Sequence, residues 1–173
     1  MAETREDKRG QLLVGLMEKK VLAGSLTLDD ANVLMDDYSY CIIEHIEAWP
    51  DKLHLALAQK LARKTKGIHG IGKCLFDNIE RFKGVDKKEQ KKMAIQLMRS
   101  GAREVLLIHG AFGKFKPFDW LDQEVALVVI EVGLGFAVAK FPAAFKNLDQ
   151  KEIVWAMAKK CHEDIQKFVE RCK

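Results

Sequence analysis

Residues 125–141 read VALVVIEVGLGFAVAKF, a stretch that is apolar apart from Glu131 and Lys140. The run is longer than a typical strand of about 5 to 6 residues, so it predicts a helix despite its Val and Ile content. A helix that is apolar on every side must be surrounded by other helices. Glu131 divides the stretch into runs far shorter than the roughly 20 residues that cross a membrane. The sequence therefore predicts a buried central helix at about residues 120–141 and no membrane partner.

Helix-start and helix-end signals punctuate the rest of the chain. Thr27 and Asp30 form a capping-box pattern, Asp86 and Asp149 stand at two further helix starts, and Pro50 ends a helix. Between these signals, apolar residues recur at helical spacing. The sequence predicts a single compact all-α domain, residues 1–173, with about six to eight helices around the central one. The flanking helices are predicted at about residues 4–22, 27–49, 51–66, 73–83, 87–100, 103–109 and from 150 onward.

The positive charge is concentrated in the middle third of the chain. Residues 60–116 contain 15 Lys or Arg and 5 Asp or Glu, whereas residues 1–59 contain 6 and 11. Clustered cations are typical of surfaces that bind a phosphate backbone, because neutralised phosphates release their counterions. A solvated helix face is the alternative, and it is the favoured interpretation for residues 87–92 taken alone.

The most specific motif is residues 61–82, LARKTKGIHGIGKCLFDNIERF. A helix, a turn carrying Gly70-Ile71-Gly72 and a second helix opening with Lys73 resemble the helix-hairpin-helix motif of proteins that bind DNA without sequence specificity. The resemblance implies that backbone N–H groups at this turn meet a phosphate, with Ile71 anchoring the turn inward. Glycines permit close approach and a helix start offers unpaired N–H groups, so the chemistry is independently reasonable. The alternative is an ordinary glycine connection between two core helices.

The aromatic segment 111–120 follows the basic residues. It interleaves Phe112, Phe115, Phe118 and Trp120 with lysines, a composition suited to stacking on unpaired bases. Two alternatives remain open: the rings pack at the start of the central helix, or they contact a protein partner. The predicted nucleic-acid contacts are Arg63, Lys64, Lys66, Gly70, Gly72, Lys73, Arg81, Lys83, Lys87, Lys88, Lys91, Lys92, Lys114, Phe115 and Lys116.

Catalytic and metal chemistry find little support in the sequence. No nucleophile elbow, zinc-protease motif, phosphate-binding loop or dinucleotide fingerprint is present, so no catalytic residue and no cofactor is predicted. The four cysteines are scattered without metal-site spacing, which favours reduced thiols in a cytoplasmic protein and no metal site. Glu131 is expected in apolar surroundings, with a structural partner or an interface preferred over a catalytic role.

Two functional hypotheses follow. The first is a sequence-tolerant, helical nucleic-acid-binding protein, for DNA or RNA, that uses the glycine turn and the basic helices beside it. The second is a helical adaptor or oligomeric structural protein whose basic middle third docks on acidic protein surfaces, including the acidic N-terminal third of another copy. On the first hypothesis, replacing Lys87, Lys88, Lys91 and Lys92 together by Glu abolishes a salt-sensitive affinity.

Overall fold

The computed structural model describes residue 15 and residues 18–35, 38–64, 70–101 and 118–172, with the side chain of Lys64 excepted. Nine complete α-helices lie within these residues, joined by short 3-10 turns, and residues 18–22 are helical as well. The described residues contain no strand, only an isolated parallel bridge between Asp122 and Lys146. The all-α prediction is confirmed. The helices are α1 Leu28–Leu34, α2 Ser39–Glu44, α3 His54–Lys64, α4 Ile71–Asp77, α5 Lys87–Arg99, α6 Gln123–Glu131, α7 Gly135–Lys140, α8 Gln150–Lys160 and α9 Ile165–Arg171.

The central apolar stretch is mostly buried, although Phe136 is 41% exposed, and the prediction of one continuous helix is wrong. It consists of α6 and α7, separated at Gly133, whose φ is +84°. The N–H of Gly133 donates to the carbonyl of Ile130, and the N–H of Leu134 donates to that of Val129. This pairing is a Schellman motif, which ends a helix at a residue with positive φ, a conformation that glycine adopts at low cost. The predicted helix is therefore divided into two shorter helices at Gly133.

Predicted helix starts are confirmed where side chains cap them. Thr27 accepts from the N–H of Asp30, and the Asp30 carboxylate accepts from the N–H of Thr27 at 2.9 Å, completing the capping box. Asp86 caps α5 and Asp149 caps α8 in the same way. Helix ends differ more, because the predicted helices at 27–49 and from 150 onward are each interrupted. The chain consequently has more and shorter helices than the sequence indicated.

One buried apolar cluster connects the helices from Leu26 to Phe168. Helix α5 packs against α3 and α6, α6 against α8, and α7 against α9. Polar contacts lie at the border of the apolar cluster. One is made by buried His54, whose Nε2 lies 3.0 Å from the Trp49 carbonyl oxygen and whose Nδ1 accepts from the N–H of Lys83. Within the described ranges, no helix is long and apolar enough to span a membrane.

Candidate interaction surfaces

The basic residues of α5 divide between two faces of the helix. Lys91 lies on the inner face, where its Nζ is 2.7 Å from Asp122 Oδ2 and 2.5 Å from Glu124 Oε2. Burial alone would lower the pKa of Lys91, but hydrogen bonds to these two carboxylates raise it. Lys87 contacts Asp119 at 2.5 Å, one turn earlier. These cations therefore hold α5 to the start of α6.

The outer face of α5 carries Lys88 and Lys92. Lys92 is exposed and lies 3.8 Å from Glu89, a loose pair within the helix. Lys88 is exposed and has no carboxylate partner among the described residues. At the end of the helix, Arg99 pairs with Glu131 at 3.1 Å. Among the described residues, Lys88 is therefore the lysine of this helix whose charge is most available for a ligand.

Arg81 is engaged on every side by its own protein. Its Nε and one terminal nitrogen each lie 2.6 Å from a Glu47 oxygen, and it also donates to the Glu44 carbonyl and to Asn78 Oδ1. The hydrogen bond from Arg81 lowers the pKa of Glu47 to about 2, and the same bond raises the pKa of Arg81. The Arg81 guanidinium therefore joins the end of α2 and the residues after it to the 3-10 turn that follows α4.

The glycine turn is closed against the protein. Gly70 has φ +102°, and a Cβ at this position would lie 2.7 Å from the Tyr40 hydroxyl oxygen. Ile71 is buried, which confirms its inward anchoring role, and Gly72 is buried beside it. Lys73 pairs with Asp77 at 3.1 Å along α4. Residues 65–69 lie outside the described residues, so the helix-hairpin-helix resemblance stays a prediction.

Two of the predicted stacking aromatics are structural. Phe118 and Trp120 stack on each other with centroids 4.8 Å apart, and both meet Phe76 edge to face. The indole N–H of Trp120 donates to Gln90 Oε1 at 3.0 Å. The packing alternative is confirmed for these two rings. The predicted site residues Lys66, Lys114, Phe115 and Lys116, together with Phe112, lie outside the described residues.

Most of the predicted phosphate-binding cations whose side chains the structure describes are paired within the fold. Lys83 contacts Asp51 at 2.9 Å, in line with the pairs above. Of the eight predicted cations with described side chains, six have a carboxylate within 4.0 Å, whereas Arg63 and Lys88 have none among the described residues. The cations form no continuous unpaired strip across the part of the molecule that is described.

The expectation that Glu131 lies in apolar surroundings is wrong. Its side chain is 55% exposed rather than surrounded by apolar groups, because α6 ends at this residue and the chain turns away. Its pairing with Arg99 confirms the alternative of a structural partner. All four cysteines have free thiols, and no three His, Cys, Asp or Glu side chains of the described segments gather into a possible metal site.

A surface that the sequence interpretation missed lies on α8. Ile153 and Met157 of this helix are fully buried, whereas Trp155 between them points outward and is 66% exposed. Lys151 and Lys159 stand one turn before and after it, both exposed and without a carboxylate partner in the described part of the chain. The Lys159 ammonium lies 4.9 Å from the indole centroid. We call Lys151, Trp155 and Lys159 the Trp155 ridge.

The ridge had a sequence signal in the helical pattern itself. The apolar residues that mark the inner face of this helix begin with Ile153, Met157 and Cys161. Trp155 is two positions away from both Ile153 and Met157. A residue two positions from each of two inward neighbours projects to the opposite side.

Comparison of the chain with protein-family models, curated proteins and solved structures gave no match.

Proposed function

We propose that this protein is a helical adaptor that works by binding an acidic surface of another protein chain. The observation that carries the proposal is the Trp155 ridge, an exposed indole on a helix whose other face is buried, between two lysines that have no carboxylate partner among the described residues. Tryptophan is strongly enriched among residues that dominate binding energy at protein interfaces. Tryptophan is highly buried on average in soluble proteins, so an indole left mostly in water is the less common arrangement.

The flanking lysines indicate the charge of the partner. Lys151 and Lys159 would meet carboxylates, while the indole covers an apolar group between them. Electrostatic complementarity of this kind speeds encounter and selects the partner more than it raises affinity. The docking surface thus moves from the basic middle third, where the sequence had placed it, to α8.

The charge balance of the middle third supports this choice over phosphate binding. Residues 60–101 contain twelve basic and four acidic side chains. Six more carboxylates reach these cations from elsewhere in the chain, which leaves an excess of two positive charges. They are Glu47, Asp51, Asp119, Asp122, Glu124 and Glu131. The scattered cysteines of the sequence favour reduced thiols, and we propose the cytoplasmic location that this spacing predicts.

The proposal can be tested by placing a photo-crosslinking amino acid at position 155 in cells that make the protein. The matched control carries the same amino acid at position 88, an exposed α5 position whose lysine is also unpaired. Adducts are then treated with nuclease and identified by mass spectrometry. We expect nuclease-resistant adducts with protein from position 155 and few from position 88. Equal crosslinking from both positions, or none from position 155, would contradict the proposal.

Sequence-tolerant nucleic-acid binding is the second candidate, favoured by Arg63 and Lys88. Both are exposed and unpaired among the described residues, and both belong to the predicted contact set. Fluorescence anisotropy with a labelled oligonucleotide at about 50 mM and 200 mM salt tests this candidate, because phosphate contacts weaken steeply over that range. Arg63→Glu with Lys88→Glu should abolish such binding without breaking an ion pair of the fold. Nuclease-sensitive adducts from position 88 would favour this candidate.

A further inference from the structure

The outer face of α1 has a composition complementary to the Trp155 ridge. Ala31 marks the inner face of this helix and is fully buried, whereas Val33 points outward and is 56% exposed. Asp29 lies one turn before Val33 on the same outer side, exposed and without a cation partner among the described residues. Asp30, by contrast, is engaged by Lys20 and Thr27. The face therefore offers one carboxylate without a cation partner in the described part of the chain, beside one exposed apolar side chain.

We propose that the Trp155 ridge binds the outer face of α1 of a second copy of this chain. This inference rests on the function proposed above and specifies its partner. Trp155 would cover Val33, and a flanking lysine would pair with Asp29. Each side supplies what the other lacks: an unpaired cation against an unpaired anion, and an exposed ring against an exposed β-branched side chain. The second lysine of the ridge would stay at the solvent-exposed edge of the contact, where its charge needs no buried partner.

The contact joins two different surfaces, so it is head to tail. Each copy that binds through its ridge keeps its own α1 face free, and the association can continue beyond a dimer unless the rotation closes a ring. Two short helix faces bury far less than the roughly 800 Å² per partner of a standard stable interface. The association is consequently weak, reversible and dependent on protein concentration.

Sedimentation velocity of the purified full chain over micromolar to millimolar concentrations tests the inference. The average mass should rise with concentration at low salt and should fall again at high salt. Trp155→Ala and the double variant Lys151→Glu with Lys159→Glu should stay monomeric at every concentration. Lys88→Glu, which removes an unpaired lysine outside the ridge, should behave as the wild type. A wild type that stays monomeric, or ridge variants that still associate, would overturn the inference.

Charge reversal in trans separates a specific contact from general charge attraction. Asp29→Lys alone places lysines on both surfaces, and the double ridge variant alone places carboxylates on both, so neither should self-associate. A mixture of the two variants restores opposite charges at each contact and should associate as the wild type does. A mixture that stays monomeric would contradict the assigned pair of surfaces.

The outcomes of this inference and of the proposed function are distinguishable. Crosslinked adducts from position 155 that have twice the mass of the chain support the second copy. Adducts with a different protein, together with a monomeric wild type, would overturn the second copy while the adaptor function stands. Absence of protein adducts would overturn both.

Discussion

Lys91 Nζ lies 2.7 Å from one oxygen of Asp122, and the other oxygen of the same carboxylate accepts from the N–H of Val125 at 3.2 Å. Asp122 thus caps α6 and anchors α5 at the same time. The negative charge of Asp122 at the helix start also interacts favourably with the positive end of the α6 dipole. This relationship explains why a cation that looked available for phosphate in the sequence is a structural element of the fold.

Replacement of Lys91 by Glu should lower the free energy of unfolding by about 1 to 3 kcal/mol, because a third carboxylate would face Asp122 and Glu124 in a partly buried site. Urea denaturation followed by circular dichroism measures the change. Lys88→Glu is the matched control on the exposed face of the same helix, and we expect it to change stability by less than about 0.5 kcal/mol. Equal losses for the two variants would contradict the two-faced description of α5.

The same asymmetry affects how nucleic-acid binding must be tested. Replacing Lys87, Lys88, Lys91 and Lys92 together by Glu would break the contacts of α5 with the start of α6, so lost binding could reflect lost structure. Variants at Lys88 and Arg63 leave those ion pairs intact.

The Glu47–Arg81 pair should make stability sensitive to acid. The folded-state pKa of Glu47 is lowered to about 2 from its ordinary value of 4.5, chiefly by the hydrogen bond from Arg81. A lowered carboxyl pKa contributes stability that is fully present above about pH 4.5 and is lost as the pH falls toward 2. Glu47→Gln should be less stable than the wild type at neutral pH, and the difference should shrink to nothing near pH 2. Denaturant titrations across this range measure it, and a difference independent of pH would refute the assignment.

Gly135→Ala should destabilise the protein by about 1 to 3 kcal/mol through overpacking. A Cβ at this position would lie 2.7 Å from Cys161 Cβ and 2.9 Å from its Sγ, and neither atom belongs to the end of a long flexible side chain. Gly15→Ala is the control, since a Cβ there meets nothing within 4 Å. Thermal denaturation should show a lower Tm for the first variant only. An unchanged Tm for Gly135→Ala would mean that α7 and Cys161 are less closely packed than described.

His54→Ala should cost about 2 to 4 kcal/mol of unfolding free energy. The change leaves the Trp49 carbonyl and the Lys83 N–H without the ring nitrogens that they contact, and it removes the edge-to-face contact of the imidazole with Phe82. His45→Ala, at an exposed histidine, is the matched control. Chemical denaturation of both variants provides the comparison, and a negligible cost at position 54 would show that the two backbone groups find other partners.

Local signals in the sequence predicted local structure well. Thr27 with Asp30, Asp86 and Asp149 all cap helices as their spacing indicated, because a cap depends on residues within one turn of each other. Gly133 was harder to interpret. A glycine inside an apolar run is compatible with a helix interior as well as with a helix end, and the core surroundings that favour the end are not local.

The candidate sites depended on distant pairing, which the sequence does not show. Lys91 and Asp122 are 31 positions apart, and Arg81 and Glu47 are 34 apart. A count of charges along the chain therefore indicated a basic surface where the fold has ion pairs. The outward direction of Trp155 was predictable from the sequence, because it lies two positions from both Ile153 and Met157 on a helix.

The proposed function depends on an exposed Trp155 between two lysines. Quenching of tryptophan fluorescence by iodide and by caesium ions measures that arrangement. Trp49 and Trp120 are buried, so the collisional quenching of the purified protein in dilute solution should come from Trp155. Unpaired lysines around the indole attract an anion and repel a cation. We therefore expect strong quenching by iodide, weak quenching by caesium, and loss of the iodide effect in Trp155→Phe. Equal quenching by the two ions, or iodide quenching that persists in the variant, would contradict that arrangement.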